Sequence, residues 1–121
     1  MTSSSTDFLA TGRRVIHREA GALSTLAAAL DDSFSSAVSL LMAAKGRVIV
    51  SGMGKSGHVA RKIAATFAST GTPAHFVHPA EASHGDLGMV AEGDVLLILS
   101  NSGETPELAD MIAHAKRFAI P

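Results

Sequence analysis

The stretch RVIVSGMGKSGHVARKIAATFAST, residues 47–70, decides the fold of this chain of 121 residues. It opens with a β-branched run at 48–50, which is typical of a strand. A glycine-rich turn at 51–54 ends that run, and a helical pattern over residues 58–70 continues until Gly71. The stretch therefore predicts a strand, a tight turn and a helix.

Two further apolar runs follow, at residues 74–77 and 95–99. The second is uninterrupted, as a strand covered on both faces requires. Thr105 or Ser102 is expected to cap another helix, which runs to about Arg117 with a proline in its first turn. Alternating strands and helices predict an α/β fold, a three-layer parallel sheet with helices on both faces.

Two helices are predicted to precede the sheet. Along residues 7–30 the apolar positions alternate by four and three, at Ile16, Ala20, Leu23, Ala27 and Leu30. A second helix is predicted from Asp32 or Ser33 to Gly46. Residues 1–45 are thus expected to form a helical lead-in.

The end of the sequence resembles the approach to a further strand, at residues 118–121. Without that strand, residues 95–99 would form an open apolar edge, which folded proteins avoid because it recruits other chains. We therefore expect the chain to be a fragment, truncated after its third strand.

Composition excludes several classes of protein. The hydrophobic share of 46% describes a globular chain, and the formal net charge of −1 offers no excess positive charge to nucleic acid or to an anionic membrane. There is no cysteine, no apolar run of bilayer length and no secretion-type start. We expect a soluble, intracellular protein without nucleic-acid or membrane partners.

Residues 52–57, GMGKSG, fit the GxGxxG pattern between a strand and a helix, the context of a dinucleotide site. That site needs an acidic residue about twenty positions on, where residues 75–78 read HFVH. A P-loop fails too, because Ile49 stands where its first glycine belongs. What remains is a general anion site, in which Lys55 adds positive charge to helix N–H groups. A tight turn with a solvated lysine is the alternative.

The loop at 100–105, SNSGET, also follows a strand and precedes a helix. Its hydroxyls, its glycine and a helix N-terminus predict a phosphate cradle. Simple helix capping is the alternative. Glu104 and Glu107 could be present only because a negative charge is favoured at a helix N-terminus. If a ligand phosphate binds the serines, however, a glutamate one turn away could reach a sugar carbon and act as a base.

Between these loops lie five residues that could be interpreted as metal ligands, His75, His78, Glu81, His84 and Asp86. Their spacing matches no zinc signature, so no metal is expected. A catalytic role suits His84 better, because it lies in a glycine-flanked loop and imidazole moves protons near neutral pH. A loop histidine satisfied by backbone groups is the alternative.

Four motifs, in order, resemble the arabinose-5-phosphate isomerase family: GMGKSG at 52–57, ATFASTGTP at 65–73, HPAEASHGDLGM at 78–89 and SNSGE at 100–104. The resemblance implies a sugar isomerase (SIS) domain, flavodoxin-like in fold, of which residues 1–121 are the N-terminal part. It also implies that later SIS strands and tandem cystathionine-β-synthase-type modules are missing here.

The resemblance implies interconversion of ribulose 5-phosphate and arabinose 5-phosphate through an enediol. Lys55, His84 and Glu107 match the catalytic groups, with Glu107 or His84 transferring the proton and Lys55 stabilising charge. The expected substrate-binding residues are Gly54, Ser56, Gly57, Ser100, Asn101, Ser102, Gly103 and Thr105. Glu104 and His78 are further candidates.

Neither a cofactor nor a metal is needed for this reaction. The family implies a cytoplasmic homo-oligomer, commonly a tetramer, that supplies 3-deoxy-manno-octulosonate synthesis for lipopolysaccharide or capsule. Two alternatives stay open: a regulatory SIS module that binds a sugar phosphate without catalysis, and an isomerase of another phosphosugar.

Overall fold

The computed structural model of the chain describes residues 6–83 and 85–121, and for Asp86 the backbone alone. Residues 1–36 and 37–121 form two compact units. No helix in the described part of the chain is both long and apolar enough to cross a bilayer. The elements are α1 (Phe8–Ala29), α2 (Asp32–Met42), β1 (Val48–Gly52), α3 (Gly54–Ser69), β2 (Ala74–Phe76), α4 (Pro79–Ser83), β3 (Val95–Leu99) and α5 (Ala109–Arg117), with 3-10 turns at Asp86–Met89 and Pro106–Leu108.

The two leading helices confirm the predicted pattern, with one boundary wrong. Asp7 caps α1, because its carboxylate accepts a hydrogen bond from the Ala10 N–H at 2.9 Å. The helix predicted to reach Gly46 ends at Met42. Gly46 instead donates its N–H to the Gly93 carbonyl at 2.7 Å, which ties this turn to the one that leads into β3.

The three strands form one parallel sheet in the order β2-β1-β3, with β1 in the middle. Val48 lies opposite Ala74 on one side and Val95 on the other. At the other end of β1, Gly52 lies opposite Leu99. The segments that follow β1 and β3 therefore leave the sheet side by side, at its carboxyl edge.

Helices cover both faces of the sheet, as predicted, because successive side chains of β1 point to opposite sides. On one side Ile49 packs with the elements around α4 and α5, in a cluster of Ile49, Val77, Ala82, Val90, Met111, Ala115 and Ile120. On the other side Val48 and Val50 pack against α3, in a cluster with Ala60, Ala64 and Ala74. Two cores thus hold β1 between two helical layers.

β3 lies at the edge of the sheet, so it is less covered than its sequence predicts. Val95 is buried, whereas the next four residues of the strand are only half-buried. The N–H of Leu96 donates to the carbonyl of Pro121 at 2.9 Å. Residues 118–121 thus approach β3 on the side away from β1, in agreement with the strand-like pattern of those residues.

Candidate active site

The junction between β1 and α3 is built by close contact of two glycines. A Cβ added at Gly57 would lie 2.7 Å from the Gly52 carbonyl oxygen, and one added at Gly52 would lie 2.9 Å from the Ser56 carbonyl carbon. Gly54 between them has φ +58°, a conformation that favours glycine. The pattern GxGxxG therefore serves here to let a helix begin directly on the end of a strand.

This geometry corrects the predicted start of the helix. We expected α3 from residue 58, but it begins at Gly54, because the chain turns at that glycine and needs no further loop. Lys55 and Ser56 consequently lie in the first helical turn, where backbone N–H groups lack partners within the helix. Lys55 is exposed and Ser56 is half-buried. A cationic side chain thus stands beside helix N–H groups, as an anion site requires.

The loop after β3 is organised by its own hydroxyl groups. The Ser100 and Thr105 hydroxyls lie 3.1 Å apart, and Ser100 Oγ accepts a hydrogen bond from the Gly103 N–H at 3.0 Å. The Glu104 N–H donates to Ser102 Oγ at 3.1 Å. Gly103 has φ +72°, which lets the loop close on itself. The loop is a compact cup of hydroxyls and amides.

The expected capping role of this loop is wrong in one respect. Thr105 does occupy the N-cap position of the 106–108 turn, and Pro106 opens that turn. Its hydroxyl, however, pairs with Ser100 instead of capping the turn. The helix that we expected to start there begins with the 3-10 turn, and α5 proper starts at Ala109.

Glu107, one of the two candidate bases, lies on the turn that directly follows this loop. Glu107 is exposed on the 106–108 turn, and Leu108 anchors the turn in the core. α4, which ends at Ser83, packs against the same turn and against α5. His84 itself lies outside the described residues, so its predicted role stays a prediction.

A cleft of about 260 Å³ opens at the carboxyl ends of β1 and β2. Its lining is glycine, imidazole and guanidinium, from Gly52, Gly54, Gly57, His58, Arg61, Phe76 and His78. The structure thus brings three predicted residues, Gly54, Gly57 and His78, to one place. Lys55, Ser56 and the 100–105 loop leave the same edge of the sheet from β1 and β3.

His78 is held in a defined orientation within this cleft. Its Nδ1 accepts a hydrogen bond from the Ala80 N–H at 3.1 Å, so the neutral ring carries its proton on Nε2. The ring also packs edge-on against Phe76, with centroids 6.4 Å apart. His78 is therefore a fixed hydrogen-bond donor rather than a freely rotating surface histidine.

Arg61 is a cleft residue that the sequence did not single out. Its guanidinium lies 4.0 Å from the centre of the Phe76 ring, a cation–π contact that holds the charge at the cleft wall. Arg61 lies one helical turn after Gly57, and this spacing could have indicated that it lies beside the glycine turn. The inference requires that α3 begins at Gly54, whereas the sequence predicted a start at residue 58. The cleft wall therefore carries a guanidinium charge of its own, in addition to the ammonium of Lys55 on the first turn of α3.

Metal binding was a rejected interpretation of the residues between the two loops. Over residues 6–83 and 85–121, apart from the Asp86 side chain, no three His, Asp or Glu side chains are grouped as a metal site would need.

Comparison with known proteins agrees with this geometry. A family model for the SIS domain matches residues 40–121. The chain belongs to the SIS family. It is 55% identical to an arabinose 5-phosphate isomerase KdsD of Pseudomonas aeruginosa over 118 residues, and 50% identical to KdsD of Escherichia coli K12 over 115. These alignments cover 98% and 95% of this chain but 36% and 35% of the relatives, so the chain spans about a third of their length.

A solved structure with the same architecture confirms the predicted fold. The protein c3406 of Escherichia coli CFT073, in complex with arabinose 5-phosphate, is 42% identical and superposes with a TM-score of 0.88. The match covers 98% of this chain and 63% of that one. The α/β architecture and the resemblance to arabinose-5-phosphate isomerases, both predicted from the motifs, are confirmed.

Proposed function

We propose that this chain supplies the first part of the active site of an aldose–ketose isomerase that interconverts D-arabinose 5-phosphate and D-ribulose 5-phosphate. The observation that carries the proposal is the pairing of Gly52 with Leu99 at the ends of β1 and β3. The Lys55 turn and the hydroxyl loop therefore start from neighbouring strand ends, and ligands of open α/β sheets bind at that edge, which supports one shared site for them and Glu107. The KdsD relatives support the same substrate.

The hydroxyl loop would hold the phosphate. The Ser100, Ser102 and Thr105 hydroxyls supply hydrogen bonds, and the start of α3 with Lys55 supplies positive charge. Asn101 and Gly103 complete the loop. With the phosphate fixed there, the sugar carbons extend toward the groups that move the proton.

The reaction needs one base and one charge-stabilising group. The base, Glu107 or His84, removes the proton from C2 of the open-chain aldose, and the freed electron pair forms the C1–C2 double bond of the enediol. Lys55 stabilises the negative charge that develops on the C1 oxygen until that oxygen gains a proton. Return of a proton to C1, with loss of the proton from O2, yields the ketose.

The test is incubation of the chain with ribulose 5-phosphate in D₂O, with arabinose 5-phosphate and its deuterium at C2 followed by NMR. A Glu107→Gln variant should lose about 10²–10⁴-fold in rate if Glu107 is the base, because the amide cannot accept the proton. Glu92→Gln is the matched control, since Glu92 is an exposed glutamate in the turn that enters β3 from the opposite edge. Its rate should not change.

Each other result has a distinct meaning. Equal rates for both glutamate variants would contradict a role for Glu107 and transfer the base assignment to His84, which a His84→Asn variant then tests. Binding of arabinose 5-phosphate by calorimetry without turnover, in a chain of the full length of the KdsD relatives, would favour the regulatory alternative. Turnover of a different phosphosugar at a higher kcat/KM would replace the substrate.

We propose the wider setting on the family resemblance alone. The product would serve 3-deoxy-manno-octulosonate synthesis in the cytoplasm, and the working form would be a homo-oligomer. Residues 1–45 would be the helical lead-in to the SIS domain.

A further inference from the structure

The cleft at the carboxyl ends of β1 and β2 carries two hydrogen-bond donors that the reaction proposed above does not use. The Arg61 guanidinium lies 4.0 Å from the centre of the Phe76 ring, on the cleft wall. His78 also lines the cleft, and its Nε2–H is left as a donor because its Nδ1 accepts from the Ala80 N–H. Of the described residues, the seven that line the cleft include no carboxylate. The cleft therefore suits oxygen atoms that carry negative charge.

Glycine backbone leaves this cleft open beside the start of α3. Gly52, Gly54 and Gly57 all line it. Among the described residues, no heavy atom lies within 4 Å of a Cβ added at Gly54, its own helix and chain neighbours aside. A ligand can therefore approach the backbone at the end of β1 without meeting a side chain there.

The distance across the sheet suits an open-chain phosphosugar. Neighbouring strands lie about 4.8 Å apart, so the ends of β2 and β3, on either side of β1, are about 10 Å apart. A chain of five carbons with a phosphate on C5 has about this length from the phosphorus atom to the oxygen on C1. If the phosphate lies in the hydroxyl loop after β3, the C1–C2 end of the sugar therefore reaches the cleft beside β2.

The enediol formed in the reaction has oxygen atoms on two adjacent carbons, C1 and C2. When both lie on the same side of the double bond, they form a close pair that carries the developing negative charge. A guanidinium presents parallel N–H donors in a planar fork that matches such a pair, whereas an ammonium is a point charge. We propose that the Arg61 fork and the His78 Nε2–H bind the C1 and C2 oxygens as the enediol forms. This proposal rests on the isomerase function proposed above.

Phe76 is a positioning residue for both donors. Its ring lies against the Arg61 guanidinium and edge-on to the His78 imidazole, with ring centroids 6.4 Å apart. The Arg61 side chain is otherwise long and exposed, so its many rotamers would have to be restricted when a ligand binds. The contact with Phe76 restricts them beforehand, which favours binding.

Two ligands test the role of Arg61: inorganic phosphate, and arabinonate 5-phosphate, whose carboxylate presents two adjacent oxygens at the C1 end. Calorimetry with the full chain should show that Arg61→Lys weakens binding of arabinonate 5-phosphate by about tenfold and leaves binding of inorganic phosphate unchanged, because lysine keeps the charge but loses the fork. Equal losses for both ligands, or no loss for either, would overturn the proposal. It would also be overturned if the natural chain bound arabinonate 5-phosphate no more tightly than inorganic phosphate.

The matched control is Arg117→Lys. Arg117 also lies beside a phenylalanine, 5.5 Å from the centre of the Phe118 ring, but it lies at the end of α5 and does not line the cleft. This variant should leave both dissociation constants unchanged. A loss as large as that of Arg61→Lys would reflect the general removal of an arginine and would contradict a specific role for Arg61.

Variants of Phe76 test its positioning role. Phe76→Leu removes the ring and should weaken binding of arabinonate 5-phosphate by about threefold to tenfold, without an effect on inorganic phosphate. Phe76→Tyr keeps the ring and should restore the natural affinity. A merely structural role would weaken both ligands together in Phe76→Leu, and that result would refute the positioning role.

Ser102→Ala separates a failure of this proposal from a failure of the proposed phosphate site. Both ligands carry a phosphate, so this variant should weaken both by a similar factor. If it changed neither while Arg61→Lys still weakened arabinonate 5-phosphate, the phosphate assignment to the hydroxyl loop would fail and the role of Arg61 would stand. If Ser102→Ala weakened both ligands and Arg61→Lys weakened neither, the phosphate site would stand and the role of Arg61 would be refuted.

Discussion

Replacing Gly57 by alanine tests the contact that sets the position of Lys55. In α3 the added Cβ would lie 2.7 Å from the Gly52 carbonyl oxygen and 3.3 Å from its carbonyl carbon. Both atoms belong to the middle strand of the sheet, which has a neighbour on each side and cannot rotate away as a side chain would. The substitution therefore forces the first turn of α3 off the end of β1.

Two opposing effects determine the size of the change. Glycine to alanine in an open helical position stabilises by about 1 kcal/mol. Overpacking against fixed atoms costs about 1–3 kcal/mol, so we expect the free energy of unfolding to fall by up to about 2 kcal/mol. For a unit the size of residues 37–121, that corresponds to a Tm lower by up to roughly 15 °C.

Thermal unfolding followed by circular dichroism measures this change. Gly21→Ala in α1 is the matched control, because nothing lies within 4 Å of the Cβ that it would add. It should leave the Tm unchanged or raise it. If Gly57→Ala behaved like Gly21→Ala, β1 and α3 would not be in backbone contact, and Lys55 would not be held at the end of β1.

Two further perturbations follow from hydrogen bonds. Ser51 is fully buried, and its hydroxyl donates a hydrogen bond to the Val77 carbonyl at 2.6 Å. Ser51→Ala removes that donor, so the free energy of unfolding, measured in urea, should fall by about 1–3 kcal/mol. An unchanged urea midpoint would contradict this prediction. Hydrogen bonds from Ser33 lower the pKa of Asp31, so they stabilise the folded chain only while Asp31 is ionised. This stabilisation is fully present above the ordinary carboxyl pKa of 3.8, and it is lost as the pH falls through the lowered pKa of Asp31. The amide shift of Ser33 in an NMR titration should report this loss, and Asp31→Asn should abolish it.

Periodicity predicted the elements of the sheet layer well, because it depends on local preference. The β-branched run at 48–50 and the apolar run at 95–99 both became strands, but the turn predicted at 51–54 is shorter, because β1 continues to Gly52 and α3 begins at Gly54. Boundaries failed where a distant contact decides them. α2 ends at Met42 because Gly46 bonds to Gly93, and α3 begins at Gly54 because Gly52 and Gly57 touch.

The sequence likewise predicted only some of the residues of the candidate site. The glycines, hydroxyls and charged groups were recognisable from their types and from their positions after strands. Arg61 was not, since only the observed start of α3 and the ring of Phe76 place it on the cleft wall. The orientation of His78 likewise depends on a hydrogen bond to Ala80 that no spacing rule announces.

The sequence by itself determined the alternation of strands and helices, the loop motifs and the membership of a family, because these depend on local backbone preferences and on residue types in order. Only the tertiary structure decided the strand order β2-β1-β3, which makes β1 central and leaves β3 at the edge. It also decided which loops leave from neighbouring strand ends, through the pairing of Gly52 with Leu99. The physical reason is that the order of the strands depends on how both faces of the sheet pack against helices that are far apart in the chain. A local sequence pattern contains no information about those distant contacts.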